Sequence, residues 1–265
     1  MAHQSKIKQG VARTAGATLL AFAASLAVAG VNADRSDRGA GKPGFEQNTA
    51  RQQNPGVFPV FSRPLGHSYS EWAASWWQWA LQMPPSGHPL LDLPDSTCQK
   101  GQRGKVWFLG GNFIGEGTQI ARSCEVPAGK ALFFPLISNA YFAFLNDPPA
   151  TRTEEYIRSL IECTDPVISV SIDGQALRRP TQYLERSVLF DVQLPADNLF
   201  GLGPDVIPEL KLSPSADFGY YLFLTPLKVG VHHIAWSAKM NCPSLGGDIF
   251  QNVNYSITVR PGRQH

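Results

Sequence analysis

The sequence lacks the compact signatures of nucleophilic and metal-dependent hydrolases. It has no G-x-S-x-G elbow, no H-E-x-x-H and no G-K-[ST] phosphate loop, which removes the serine hydrolases, zincins and nucleotide-binding folds that those motifs serve. No C-x-x-C pair is present either, so the clustered spacing of a structural zinc site is missing and no metal is expected. No cofactor motif replaces them, and no cofactor is expected. Charge of one sign is also scarce, at 23 Lys+Arg against 21 Asp+Glu. Three of the basic residues, Lys6, Lys8 and Arg13, precede residue 34, where there is no acid, and the remainder carries a charge of −1. A near-neutral chain has no electrostatic footprint for nucleic acid or for an anionic membrane.

What is present begins with an export signal. A basic stretch, Met1 to Thr14, is followed by an uncharged apolar run, Ala15 to Val31, which ends in Val31-Asn32-Ala33. This is the order of a signal peptide, with cleavage expected between Ala33 and Asp34. An uncleaved anchor is the alternative, but the run is rich in Ala and Gly and a good cleavage site follows it. No Cys lies near that site, which disfavours a lipoprotein, and no later run is long enough to span a bilayer. The expected location is therefore periplasmic or extracellular, with no membrane span after cleavage. All four Cys, at 98, 124, 163 and 242, lie beyond the signal. An even count in an oxidising compartment reads as two disulfides with three connectivities. The preferred pairing is Cys98 with Cys124, across one hairpin, and Cys163 with Cys242. Oxidised cysteines leave no thiol nucleophile.

Residues 34–56 are polar and rich in Gly, Arg, Gln and Asn, and read as a disordered leader. Residues 57–265 then form the globular part. Ser68 to Met83 is the clearest helix: Ser68-Tyr69-Ser70-Glu71 is a capping box, Pro84-Pro85 stops it, and it carries four of the six Trp. Thr151 to Ile161 is a second, shorter helix, with Thr151 to Glu154 as its capping box. The rest reads as strands: Lys105 to Leu109, Thr118 to Val126, Ala131 to Ile137, Val167 to Ile172, Tyr183 to Leu194, Gly219 to Leu227, Val231 to Ala238 and Val253 to Val259. Gly110 to Gly117 reads as a hairpin turn between the first two, and Asp173-Gly174 as a tight hairpin turn. Pro195 to Phe218 reads as a long loop, a place where lids and binding loops occur.

Short strands with Gly/Pro turns predict a mainly β fold, a β-sandwich of immunoglobulin-like or jelly-roll-like type with the Trp-rich helix and the short helix packed on it. The stretches VISVSIDGQ, YYLFLTPLKVGVHHIAWSA and VNYSITV resemble an immunoglobulin-like module of exported bacterial proteins. That resemblance implies that His232, Ile234 and Trp236 face the core and Val231, His233 and Ala235 face away. VWFLGG to CEVPAGKALFFPL, with the Trp-rich helix, is similar to an uncharacterised exported bacterial protein family, from which no activity carries over.

Candidate site residues follow from chemistry. His88 and Asp92, in the connection after the first helix, are the candidate catalytic pair, since an imidazole beside a carboxylate on a loop is suited to acid/base work. Trp77, at the edge of the aromatic face, is the candidate platform for a sugar ring, although a helix with four Trp more often buries them. His67 and Glu71 stand four apart and form a weaker ligand-binding pair, with Glu71 already used in the cap. The leading expectation is an exported binding or structural β-sandwich protein recognising a small molecule or glycan, including carbohydrate or other envelope material. The alternative is a secreted hydrolase or lyase using His88, Asp92 and residues of the long loop.

Overall fold

The structure, a computed structural model, describes residues 54–113 and 116–261. The export segment 1–33 and the leader up to residue 53 lie outside the described residues. Folded packing begins within the last residues assigned to that leader. Asn54 is buried, its Nδ2 donating to the Arg178 carbonyl and the Tyr183 hydroxyl while its Oδ1 accepts from the Arg178 N–H.

Two five-stranded sheets form the body. The first contains β1 (Val106–Phe108), β3 (Ala131–Phe144), β8 (Lys211–Leu224) and β6 (Leu184–Arg186) in that order, with β7 (Phe190–Gln193) also on β8. The second runs β2 (Glu116–Pro127), β10 (Gly247–Arg260), β9 (Gly230–Cys242), β4 (Thr164–Ile172), β5 (Gln175–Ala176). The mainly β sandwich expected from the alternating pattern is what forms. Side-chain alternation decides which face each residue serves. Phe134 of β3 meets Trp236 of the second sheet at 5.1 Å, while its neighbour Phe133 turns the other way to meet Tyr69 of α1 (Tyr69–Leu81) at 5.9 Å. The first sheet is thus covered by the second sheet on one face and by α1 on the other, which is why β8 is buried from Ser215 to Leu224.

Helix α1 starts where its capping box requires. Ser68 Oγ accepts from the Glu71 N–H, and the Glu71 carboxylate accepts from the Ser68 N–H. Its aromatic face is anchored by directed polar tips as well as by area. Tyr69 donates to the Phe58 carbonyl, Trp72 to that of Pro64 and Trp76 to that of Leu109. Each such ring contributes roughly 1.5–3 kcal/mol or more of burial energy. The second helix, α2 (Glu154–Ile161), is shorter at its start than the sequence suggested. Thr153 rather than Thr151 is its cap, accepting from the Tyr156 N–H, because Pro149–Thr151 forms a separate 3-10 turn.

Three further expectations are corrected by the topology. Gly110 to Gly117 is not a hairpin turn: β1 lies parallel to β3 in the first sheet and β2 parallel to β10 in the second, so the glycine-rich segment crosses between sheets. For the same reason the Cys98–Cys124 bridge ties the connection after α1 to β2 instead of spanning a hairpin. Pro195 to Phe218 is only half a loop, because Lys211 begins the long strand β8. The Asp173-Gly174 turn forms as expected, with both residues at positive φ (51° and 77°).

The remaining part of the loop, residues 195–210, is packed down. Leu199, Phe200 and Ile207 are buried, and the buried Asn198 organises the backbone around it. Its Nδ2 donates to the carbonyls of Pro195 and Leu202, and its Oδ1 accepts from the N–H of Phe200 and of Leu202. Asn198→Ala orphans these groups, and at about 1 kcal/mol per net bond, more where a buried group is left unpaired, a loss of about 2–3 kcal/mol is expected. Urea unfolding measures it. A change below about 0.5 kcal/mol would show that the loop does not depend on this residue.

Candidate functional site

The residues nominated for chemistry do not converge. His88 is fully buried beneath the end of α1. Its Nε2 lies 2.8 Å from the Ala80 carbonyl, and its Nδ1 accepts from the Leu90 N–H at 3.1 Å. That arrangement fixes the Nε2–H tautomer and satisfies a last-turn carbonyl that the helix cannot pair itself. Burial is the main cause that pushes this imidazole down to about 4, with Lys100 and Arg122 adding to it against the Ala80 carbonyl bond. His88 therefore terminates a helix.

Asp92 belongs to a different cluster. Both its oxygens are taken by Arg122, Oδ1 by Nε at 2.6 Å and Oδ2 by Nη2 at 2.8 Å. Arg122 Nη1 donates to the carbonyls of Gly110 and Gly111 and to the Tyr255 hydroxyl, and only 8% of its side chain is exposed. The guanidinium pins the crossover between the sheets. It also places an inward-pointing charge on β2, the long edge strand of the second sheet, a device that discourages edge-to-edge pairing.

Trp77 is buried, with 8% exposure, so the proposed sugar platform is absent. Its ring packs edge-on against Trp76 and Phe142 and lies near Phe113. The His67 and Glu71 pair is a surface cap: His67 Nδ1 is 3.9 Å from Glu71 Oε2, its ring stands edge-on to Trp72, and Arg63 also reaches the carboxylate at 3.1 Å. The bond from the Ser68 N–H is the largest cause that holds the Glu71 carboxyl below its usual range. His232 is mostly covered and bonds Asp173 and the Lys228 carbonyl, while His233 faces outward. Among the described residues, no group of three or more His, Cys, Asp or Glu could hold a metal ion.

The surface that remains is the outer face of the second sheet. Inward positions of β9 and β10 are Ile234, Trp236, Val253, Tyr255 and Ile257, all buried, so the intervening positions face out. Register then aligns them in rows. Ser171, Ala235, Asn254 and Ala121 lie side by side across β4, β9, β10 and β2. The next row is Ser169, Ser237, Asn252 and Gln119, and on the other side His233, Ser256 and Ser123 follow. These positions are exposed or half-exposed, whereas the helices pack on the first sheet. The charges at the margin neutralise one another, Lys239 with Asp248 at 2.6 Å and Arg260 with Glu125 at 2.6 Å. Adjacent strands lie about 4.8 Å apart and alternate residues about 6.8 Å along a strand, so the Ser hydroxyls and the Asn and Gln amides recur at regular spacing, with Ala235 and Ala121 between them and His233 at one edge. No sequence motif marks this face. Alternation identifies it only once the strand order is known.

No family model and no curated protein matches the chain. Among solved structures it is similar to one titled "Structure of PbICP-C in complex with falcipain-2", at 11% identity over 59% of this chain and 100% of that chain, with a TM-score of 0.24. No shared fold or activity follows from a likeness at that level.

Proposed function

We propose that the protein is an exported binding module, periplasmic or extracellular, that recognises a neutral hydroxyl-rich polymer of the carbohydrate class through the outer face of the second sheet. The observation that carries this reading is the set of Ser, Asn and Gln side chains aligned across β4, β9, β10 and β2, with its flanking charges paired off. Ser, Asn and Gln groups both donate and accept, which suits a ligand that offers hydroxyls at repeated spacing. Export is supported by the basic and apolar N-terminal pattern in the sequence, by the two disulfides, and by the lack, among the described residues, of a helix long and apolar enough to cross a membrane. The hydrolase alternative has no such support, because both His88 nitrogens and both Asp92 oxygens are engaged in structural bonds.

Retention of the purified mature chain on insoluble neutral polysaccharides, against anionic ones, tests the proposal. Ser237→Arg sets a long charged side chain in the middle of the array and is expected to weaken retention at least tenfold, which corresponds to about 1.4 kcal/mol. Far-UV circular dichroism should not change, since Ser237 is exposed. Failure of the unmodified chain to bind any neutral polymer, or undiminished binding by Ser237→Arg, would overturn the assignment.

A further inference from the structure

Beneath α1 lies a polar cluster that the outer face of the second sheet does not use. At its centre is Asp217 of β8, fully buried. Its N–H donates to Ser187 Oγ at 2.8 Å and its Oδ2 accepts from the Tyr221 hydroxyl at 2.6 Å. Oδ1 has no hydrogen-bond partner, and neither do three other buried groups near it: Trp77 Nε1 of α1, Arg158 Nη1 of α2 and Ser215 Oγ two residues earlier on the strand. Orphaned polar atoms are rare in native interiors, and several around one carboxyl call for an explanation.

A second carboxyl shares the face. Glu185 of β6 stands opposite Gly219 of β8, so it is the diagonal neighbour of Asp217 on the side that α1 covers. Gly219 puts no side chain between them, and a Cβ there would meet Ser138 at 2.5 Å.

We propose that Asp217 and Glu185 make the docking of α1 on the first sheet depend on protonation, the neutral pair holding the helix and the ionised pair loosening it. Uncompensated charge in a dry interface is costly, and two adjacent carboxylates add mutual repulsion. Burial is the largest cause that pushes Asp217 up to about 7, against the Tyr221 hydroxyl bond, the nearby Trp77 and Ser187 polar groups and the Arg158 guanidinium, which favour its charge. Burial also pushes Glu185 up to about 7, with Asp217 adding to it and Arg186 opposing. From the α1 side, Tyr69 lies in the field of both Glu185 and Tyr183. The sign follows directly. Carboxyls raised in the docked state retain protons that the undocked state has released, so docking is strongest below about pH 4 and weakens as pH rises through 7.

The test is hydrogen exchange from pH 5 to pH 9, corrected for intrinsic base catalysis, with β9 and β10 amides as the internal reference. Since one pH unit corresponds to a tenfold change in the equilibrium per group, protection of α1 is expected to fall at least tenfold while that of the reference strands holds. In the Asp217→Asn/Glu185→Gln variant the fall should vanish. Flat protection of α1, an equal fall in β9 and β10, or a fall that persists in the double variant would each overturn the proposal. Should the double variant not fold, infrared spectra of the unmodified protein at pH 6 decide the matter. Carbonyl stretches of two protonated carboxyls are expected, and their absence sinks the idea.

Discussion

Replacing Cys163 and Cys242 by alanine is expected to lower stability by about 4 kcal/mol. The bridge spans a sequence separation of 79 residues, and closing a loop of that length removes about 4 kcal/mol of chain entropy from the unfolded state. Both sulfurs are buried, and the Cα atoms are 4.4 Å apart. Cys163 lies two residues past the end of α2, and Cys242 closes β9. The bridge therefore pins the helix to the second sheet, next to the Thr164 and Asn241 pair that opens the β4–β9 ladder. The Cys98–Cys124 bridge, at a separation of 26, is worth about 3 kcal/mol by the same arithmetic. Against a typical net stability of about 5–15 kcal/mol, losing both is enough to unfold many domains. Urea unfolding of the Cys163→Ala/Cys242→Ala variant, and of the unmodified chain with and without dithiothreitol, measures the effect. A loss below about 1 kcal/mol would show that packing alone closes the fold. The expected result ties folding to an oxidising compartment, as the proposed export requires.

Local chemistry made parts of this fold legible and tertiary context hid the rest. The capping box at Ser68 and Glu71 and the Asp173-Gly174 turn depend on neighbours within a few residues, so sequence alone suffices for them. The alternation of Val253, Tyr255, Ile257 and Val259 could be read because one face of β10 is wet. Strand β8 has no wet face over most of its length, and its first half carries Pro214, Ser215 and Asp217, which read as loop chemistry. The Gly110 to Gly117 segment was misread because a hairpin and a crossover between sheets use the same turn residues. Only pairing partners far along the chain distinguish them.

The site was harder still. His88 and Asp92 are four residues apart and chemically apt, but whether a polar group is free for catalysis depends on what else reaches it. The Ala80 carbonyl claims one and Arg122 the other. Trp77 failed as a platform for the opposite reason: the aromatic face of α1 is wide enough to bury the edge ring as well as the central ones. The outer array across β9 and β10 is built from residues that carry no motif individually, so only strand register assembles it.

His88 gives the second large effect, and its pH dependence distinguishes a helix terminator from a catalytic base. The folded protein holds this imidazole neutral, with protonation delayed to about pH 4, while in the unfolded chain it takes up a proton near 6.5. Below 6.5 the unfolded state therefore binds the extra proton. The stability contributed by neutral His88 is complete above that value and is lost as pH falls toward 4, by about 3 kcal/mol in all and about 2 kcal/mol by pH 5. Asp217 and Glu185 act in the opposite direction over the same window, so the measurement belongs in the Asp217→Asn/Glu185→Gln background. His232, raised by Asp173 and the Lys228 carbonyl against its burial, adds stability as pH falls through the same window, so the background also carries His232→Gln. In that background, urea unfolding should show the loss of about 2 kcal/mol between pH 7 and pH 5, and His88→Gln should abolish the slope at a cost of about 1–2 kcal/mol at pH 7. A slope unchanged by His88→Gln would mean that the buried imidazole is not the acid-sensitive group. Retention on neutral polysaccharide at pH 7 should survive His88→Gln, because the residue lies beneath α1 on the first sheet and the array proposed to bind is on the second.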